Sequence, residues 1–460
     1  MSSPALDCTA DARAADVTPS MDRSGTSRGG GRRRRWRVLS RRASFWTAAL
    51  VIGLTLWSSA SPSLVNPLYA AHWSLSPIVI TLVFATYQLV LVPTLLLFGG
   101  ISDVVGRRAS MLAGLGAFAL GGIVFAIAPA MEWLFVGRAL QGIGAGLALG
   151  AATAALRELD LRGDVRRVGS ITTLAQAGGL TVAQVVTGAL VTYAPLPRHL
   201  GYLVLLAAVI VGIALVSLMP DDRPPAARGL REIRPQPVGV PAGTRLSFAL
   251  AATSMSIAFA LGALFLSLGA QLAEDILQTH NALEIASVLA AMTVVIGTAG
   301  VTLRSLPPRT AVALGGISAA VGLGLLVLTS HTGSVALFVL TSAVLGLSYA
   351  LAMLGPLRLV TQDAPAHHRA SVVSALYLVA YVIQGAAAII IGLIATRVGI
   401  QDAVDLVAPV MAGLGLVLAV AAVVVSSRTR RRSQASGSVD LVRTDVTPSS
   451  SPMAAARPVA

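Results

Sequence analysis

Residues 99–108 read GGISDVVGRR and lie between two long apolar runs. This stretch holds one carboxylate, two guanidinium groups and three glycines, and no other Asp, Glu, Lys or Arg occurs between residues 43 and 131. Charged side chains at this density do not sit in hydrocarbon, so the stretch must lie at a membrane face and connect two spanning helices. The sequence therefore predicts a membrane protein that crosses the bilayer on both sides of this turn.

The composition agrees with this prediction and excludes a soluble enzyme. Hydrophobic residues make up 55% of the chain and charged residues only 12%, and the mean hydropathy is +0.78. All 34 basic residues are arginine. They are dispersed among the connections between apolar runs rather than collected on one polar face, so we predict no nucleic-acid partner.

Twelve apolar segments are long enough to cross a bilayer, for which a helix needs about 20 residues. Their approximate limits are residues 44–67, 77–99, 109–129, 133–156, 168–193, 200–219, 246–272, 283–303, 309–329, 334–359, 370–396 and 404–427. The predicted fold is an all-α polytopic membrane protein with twelve transmembrane helices.

Polar segments divide the chain into five predicted regions. They are a disordered arginine-rich tail (1–43), a first six-helix bundle (44–219), a linker rich in proline and arginine (220–245), a second six-helix bundle (246–427) and a second disordered tail (428–460). Both tails and the linker are predicted to be cytoplasmic.

The distribution of arginine predicts this orientation. If the chain starts inside, all arginines fall in cytoplasmic segments except three, which are Arg138, Arg198 and Arg397. Cytoplasmic loops of membrane proteins carry an excess of basic residues. We therefore predict a multi-pass protein of the plasma (inner) membrane, with both termini in the cytoplasm.

The two halves of the chain resemble each other at a displacement of 201 residues. The matching pairs are Gly99 and Gly300, Arg108 and Arg309, and Arg157 and Arg358. A duplicated six-helix unit predicts two bundles related by a parallel repeat. The alternative is that arginines at evenly spaced loop ends coincide by chance.

The charged turn at residues 99–108 resembles the signature of the major facilitator superfamily, Gly-x-x-x-Asp-Arg/Lys-x-Gly-Arg-Arg/Lys. The matching residues are Gly99, Asp103, Gly106, Arg107 and Arg108, while Val104 departs from the pattern. The resemblance implies two bundles that rock around a central site, with Asp103 as a gating latch near the start of the eleventh helix at Arg369. The alternative is that Asp103 and its arginines only fix the topology of the loop.

The fourth helix carries a second resemblance to this superfamily, the pattern Arg-x-x-Gln-Gly-x-Gly. It is formed by Arg138, Gln141, Gly142 and Gly144. The glycines predict close approach of neighbouring helices. Arg138 is predicted either to face the protein interior or to snorkel to the outer interface.

The fifth helix departs from the drug and proton antiporters of the superfamily. These carry Gly-Pro-x-x-Gly-Gly there, whereas residues 183–188 read AQVVTG. The chain resembles the drug or metabolite efflux branch of the superfamily, but its fifth-helix antiporter motif is degenerate. No carboxylate lies at the middle of a predicted span, so protons as the coupling ion rest on the resemblance alone.

Uncharged polar and aromatic residues near the middle of the spans are candidates for a substrate cavity. They are Tyr87, Gln88, Gln141, Gln176, Gln184, Tyr349, Met353, Tyr377, Tyr381 and Gln384. Such a cavity suits an amphipathic or weakly polar solute. The alternative for each residue is a hydrogen bond between helices, typically worth about 0.6 kcal/mol.

We predict a monomeric secondary transporter that exports a small hydrophobic or amphipathic compound, driven by an ion gradient. The alternatives are an uptake permease for a small neutral nutrient and a membrane receptor or scaffold that transports nothing. No catalytic residue, metal site or cofactor is predicted, because the sequence has neither metal-ligand spacing nor a phosphate-binding loop.

Overall fold

The computed structural model of the chain describes residues 38–220, 239–365 and 368–444. Twelve helices in these ranges are long and apolar enough to cross a membrane. They are α1 (Arg41–Ala60), α2 (Pro77–Phe98), α3 (Arg107–Ile127), α4 (Glu132–Leu159), α5 (Val165–Tyr193), α6 (Leu200–Ser217), α7 (Arg245–Ser267), α8 (Ala282–Thr302), α9 (Pro308–Thr332), α10 (Val335–Asp363), α11 (Arg369–Val398) and α12 (Ile400–Thr444). No strand occurs in the described ranges.

Local sequence explains where several helices begin and end. Ser40 caps α1 by accepting a hydrogen bond from the backbone N–H of Ala43 at 3.3 Å. Asn281 caps α8 by accepting from the N–H groups of Leu283 and Glu284. Gly333 ends α9 in the left-handed conformation, with φ of 61°.

Two predicted spans are interrupted in the structure. The first ends as a regular helix at Ala60 and continues through a 3₁₀ turn (Ser61–Leu64) into a short helix (Asn66–Trp73). Pro62 and Pro67 interrupt the α-helical hydrogen bonding there. The seventh span ends at Ser267, and a second short helix follows (Gly269–Leu277).

The last helix is longer than expected. It continues to Thr444, whereas the sequence predicted a tail without regular structure from residue 428. No proline occurs between Pro409 and Pro448 to stop it. Of the tail predicted at 1–43, residues 1–37 lie outside the described residues, and α1 already begins at Arg41. Most of the linker (221–238) and the last residues (445–460) also lie outside them.

The predicted fold class, two six-helix bundles of an all-α membrane protein, is confirmed. The two largest clusters of buried apolar side chains separate by half. One is drawn from residues 45–219, and the other from residues 250–422 together with Leu64 and Ile80. Between the bundles, α2 packs on α11 and α5 packs on α8. Because α8 and α11 are the counterparts of α2 and α5, this pairing has the approximate two-fold symmetry of a parallel repeat.

The alternation of the helices defines two ends of the molecule. We call the end that carries residues 99–108 the signature end, and the other the opposite end. The start of α1 lies at the signature end, where Arg41 donates hydrogen bonds to the carbonyl oxygens of Glu158 and Leu159.

Direct contacts between the bundles close the opposite end. The backbone N–H of Ile78 donates to Thr396 Oγ1 at 2.9 Å. Ser63 Oγ donates to the carbonyl oxygen of Leu266 at 2.7 Å, and Thr192 Oγ1 accepts from the backbone N–H of Leu283 at 3.0 Å.

Candidate functional site

The signature turn is organised around the guanidinium group of Arg107. It forms an ion pair with Asp103 one helical turn earlier and a second with Glu158 at the end of α4, 3.0 Å away. Arg107 Nη1 also donates to Ser102 Oγ at 2.7 Å. Gly106 joins a short helix (Ile101–Val105) to α3 with φ of 92°, a conformation that favours glycine. Arg107 therefore ties the turn between α2 and α3 to α4.

The Asp103 carboxylate lies within its own bundle in this conformation. Its side chain is 65% exposed and its ion pair is with Arg107. Among the described residues it makes no hydrogen bond or ion pair with the start of α11, where Arg369 donates to the carbonyl oxygen of Ala364. The role of Asp103 as a latch stays a prediction about another conformation.

A further ion pair at this end, with a buried carboxylate, was not predicted from the sequence. Asp160 follows α4, and its side chain is only 1% exposed and pairs with Arg167 of α5. The same carboxylate accepts from the backbone N–H of Asp164 at 3.0 Å. Arg167 also lies over the ring of Phe45 at 4.9 Å. The sequence carries a signal for this ion pair. Asp160 and Arg167 are seven residues apart, a spacing that lets them meet across the short turn between α4 and α5.

Arg138 faces the interior of the first bundle and does not snorkel. It is 1% exposed, and its Nη1 donates to the carbonyl oxygen of Ser59 at 2.8 Å and to Gln141 Oε1 at 3.3 Å. The guanidinium lies 5.7 Å from the centre of the Phe84 ring. Its Nε and Nη2 have no hydrogen-bond partner among the described residues. Gln141 therefore belongs to the surroundings of Arg138.

The glycines of the fourth-helix motif lie where α4 touches its neighbours. A Cβ atom at Gly142 would be 2.7 Å from the carbonyl oxygen of Tyr87 in α2. A Cβ atom at Gly144 would be 2.9 Å from the carbonyl oxygen of Gly114 in α3. These positions accept no side chain without moving a helix backbone.

Three tyrosines of the second bundle gather around a phenylalanine. Tyr381 meets the Phe259 ring edge to face, with centroids 4.9 Å apart, and Tyr349 lies parallel to the same ring at 6.3 Å. Tyr377 is 6.3 Å from Tyr381. Gln384 is adjacent, because a Cβ atom at Gly262 would lie 3.4 Å from both Gln384 Nε2 and Tyr349. We call these residues the tyrosine cluster.

The first bundle reaches this cluster through α2. Tyr381 packs against the apolar cluster of the first bundle that contains Tyr87. A Cβ atom at Gly385 would lie 3.7 Å from Cβ of Gln88. Gln88 is buried, and its Oε1 has no hydrogen-bond partner within the described residues. Residues from both bundles thus meet near the middle of the molecule.

Two candidates, Gln176 and Gln184, are not joined to the tyrosine cluster by any described contact. Gln184 is buried in α5, and its Oε1 has no hydrogen-bond partner in the described part of the chain. Gln176 is half-buried on the same helix. Met353 is half-buried one turn after Tyr349 and packs on the core of the second bundle.

Phe259 was not predicted from the sequence. It lies in α7, a mostly apolar helix in which no polar face marks one side as the side toward a binding site. Its place between Tyr349 and Tyr381 gives the cluster a continuous aromatic surface without a charged group. Such a surface can hold an apolar or aromatic solute by contact, while the hydroxyl and amide groups orient it.

The family model of the Major Facilitator Superfamily matches residues 45–388. The chain belongs to this superfamily. The match begins in α1 and ends in α11, so it includes the signature turn, the fourth-helix motif and the tyrosine cluster.

Two curated proteins have similar sequences over short stretches. The MFS-type efflux pump MMF1 of Pseudozyma antarctica is 34% identical over 115 residues, which is 22% of this chain and 20% of MMF1. The probable multidrug-efflux transporter Rv1634 of Mycobacterium tuberculosis is 34% identical over 159 residues, which is 34% of this chain and 32% of Rv1634. Each match thus spans about a third or less of the relative's length.

Solved structures share the fold across nearly the whole chain. A structure of proton dependent oligopeptide transporters has a TM-score of 0.68 and 14% identity, and the alignment covers 85% of this chain and 100% of that one. At this identity the likeness shows the fold alone. Membership of the superfamily places this chain among membrane transport proteins.

Proposed function

We propose that this transporter exports small hydrophobic or amphipathic compounds by alternating access, driven by an ion gradient. The observation that carries the proposal is the tyrosine cluster, an uncharged aromatic surface at the meeting point of the two bundles. It offers aromatic faces, phenol hydroxyls and amides, and no carboxylate or guanidinium. A solute with several charges would leave them unpaired there.

The conformation of the molecule supports alternating access. The described hydrogen bonds and close contacts between α2 and α11 lie at the opposite end and near the middle, at Ile78 with Thr396 and at Gln88 with Gly385. At the signature end α5 and α8 remain in contact: Arg304 donates to Ser170 Oγ at 2.6 Å, and a Cβ atom at Gly300 would lie 2.6 Å from Thr173 Cγ2. With the signature end in the cytoplasm, as the arginine distribution favours, this is a conformation closed toward the outside.

The two curated relatives with efflux names support export, over the short stretches they share with this chain. Coupling to protons has weaker physical support, because the tyrosine cluster contains no carboxylate that could carry a proton. Asp103 is exposed at the signature end and is available to a second conformation. We propose that the protein works as a monomer in the plasma membrane, with its tails in the cytoplasm.

Retention of a lipophilic fluorescent dye in pump-deficient bacteria tests the proposal. Cells would express the wild-type chain, Asp103→Asn or a matched control, Asp402→Asn, which removes an exposed carboxylate at the opposite end. Each would be measured with and without a protonophore. We expect lower retention in wild-type and Asp402→Asn cells, and retention at the level of empty cells for Asp103→Asn and for all cells given the protonophore.

Other outcomes separate the alternatives. Higher retention in wild-type cells than in empty cells would show uptake and overturn export. Export that persists with the protonophore would remove the proton gradient as the driving force. Equal retention in all cells, for dyes of several classes at equal expression, would contradict the proposed substrate class and favour a receptor or scaffold.

A further inference from the structure

A cavity lies away from the tyrosine cluster, at the opposite end of the first bundle. It is formed where the short helix after α1, the end of α3 and the connection between α5 and α6 meet. The residues that define its chemistry are Tyr69, His72, Trp73, Phe125, Arg198 and His199. Its volume is about 190 Å³.

This volume decides what the cavity can hold. On the same scale a single water needs only about 10 to 15 Å³. The cavity therefore has room for an organic group such as one aromatic ring with a substituent, and is much larger than a halide ion requires.

One wall of the cavity is aromatic. The rings of Tyr69 and Trp73 are stacked, 5.2 Å apart and within 5° of parallel. Phe125 completes this wall and is itself stacked on Tyr202 at 4.9 Å. Tyr69 and Phe125 are 3% and 1% exposed, so both rings are held in place by packing. Trp73 is the half-buried ring of the wall, so a planar ligand can reach the wall there.

The polar wall is basic. Arg198 lines the cavity and makes no ion pair or hydrogen bond with any described residue. His199 Nδ1 lies 2.6 Å from the carbonyl oxygen of Ala126. Because a carbonyl only accepts, Nδ1 carries the hydrogen and Nε2 is the remaining polar atom of the ring. His72 is the third basic group, and the defining residues include no carboxylate.

A second cation lies behind the aromatic wall. Arg138 is fully buried in the same half of the first bundle, near Tyr202, and two of its nitrogens have no hydrogen-bond partner in the described ranges. Glu132, the first acidic residue after the end of α3, is exposed and does not line the cavity. The local charge is therefore positive, and it favours an anion.

We propose that this cavity binds a small aromatic carboxylate. The ring would lie against the face of Trp73 that points away from Tyr69, and the carboxylate would accept hydrogen bonds from Arg198. An arginine and a carboxylate form a strong, directional pair of this kind. The proposal concerns a site separate from the tyrosine cluster, so it does not depend on the direction of transport or on its substrate.

Quenching of tryptophan fluorescence tests this site directly. The full chain in nanodiscs of neutral phosphatidylcholine would be titrated with 4-nitrobenzoate, because a nitroaromatic ring stacked on Trp73 quenches its emission. We expect saturable quenching in the wild-type chain and loss of that saturable component in Trp73→Phe. Arg198→Gln should raise the Kd about tenfold or more, because it removes a charged hydrogen-bond donor.

Three controls make the result specific. Arg198→Lys keeps the charge and should bind within about threefold to tenfold of the wild type. Arg397→Gln removes a matched arginine at the same end of the second bundle and should leave the Kd unchanged. The neutral amide 4-nitrobenzamide should bind about tenfold more weakly than the acid.

Three outcomes would overturn the proposal. One is an unchanged Kd in Arg198→Gln at normal folding, judged by an unchanged elution volume and thermal midpoint. Another is equal binding of 4-nitrobenzamide and 4-nitrobenzoate. The third is full displacement of 4-nitrobenzoate when the nanodiscs contain phosphatidylglycerol, since the cavity would then be a site for a lipid phosphate.

Discussion

Arg138 brings a positive charge into the first bundle without a carboxylate beside it in the described part of the chain. Its guanidinium bonds to Ser59 and Gln141, while Nε and Nη2 have no partner there. Removing a charge of this kind from water costs several kcal/mol. Two hydrogen bonds to a charged group offset this cost by about 1.5 to 3 kcal/mol each. The residue therefore adds little to the stability of the fold.

We predict that Arg138→Met separates stability from transport. The methionine fills the same apolar space and removes the buried charge, so the unfolding midpoint of the purified protein should stay the same or rise. Dye export should fall to the level of empty cells, because the guanidinium group that bonds to Ser59 and Gln141 is lost. Thermal unfolding in detergent and dye retention in cells measure the two effects.

The control for this variant is Arg397→Met, since Arg397 lies near the end of α11 and is exposed. It should change neither the midpoint nor export. If Arg138→Met lowered the midpoint while Arg397→Met did not, Arg138 would be a structural residue and the prediction would be wrong.

At the scale of the element, α4 is positioned by its glycines. A Cβ atom at Gly142 would meet the Tyr87 carbonyl oxygen at 2.7 Å and the Leu91 backbone nitrogen at 3.1 Å. Both are backbone atoms, which cannot rotate away as a side chain can. Gly150, two turns later on the same helix, has nothing within 4 Å of its Cβ position.

We predict opposite effects for the two alanine substitutions in α4. Gly142→Ala should destabilise the protein by about 1 to 3 kcal/mol, because α2 and α4 must separate. Gly150→Ala should stabilise it by about 0.5 to 1 kcal/mol, because alanine favours the helix and meets no neighbour. Chemical unfolding of the purified proteins measures both. Equal effects would mean that helix propensity alone, and not packing against α2, sets the result.

The twelve helices were predictable because the properties that determine them, hydropathy and length, can be read from the local sequence. Hydropathy and length located the twelve helices, and α2 ends at Phe98, one residue from the predicted limit. The interruption after Ala60 was missed, since a window of apolar residues does not register Pro62 and Pro67. Phe259 could not be predicted, because its role depends on Tyr349 and Tyr381 from two other helices. Gln176 and Gln184 share a helix with the right polarity, yet no described contact places them at the cluster.

At the scale of the whole molecule, the repeat explains how the bundles meet. Asn66 Nδ2 donates to the carbonyl oxygen of Ser267 at 3.3 Å, and the two residues are 201 positions apart. This is the displacement that relates the two halves in the sequence. Equivalent positions thus touch near the approximate two-fold axis. The same symmetry pairs α2 with α11 and α5 with α8.

Movement of one bundle against the other must break the contact of α2 with α11 at the opposite end. A Cβ atom at Gly392 would be 2.8 Å from Cβ of Thr81. This is well below the roughly 3.5 to 4.5 Å between the Cβ atoms of a disulfide, so α2 and α11 must move slightly apart for the bond to form. We predict that Thr81→Cys with Gly392→Cys, in a chain with Cys8→Ser, forms a disulfide that abolishes dye export. A reductant should restore export to the level of the Gly392→Cys single variant, which carries the packing defect without the bond. Export by the fully cross-linked protein would show that transport does not require the opposite end to open.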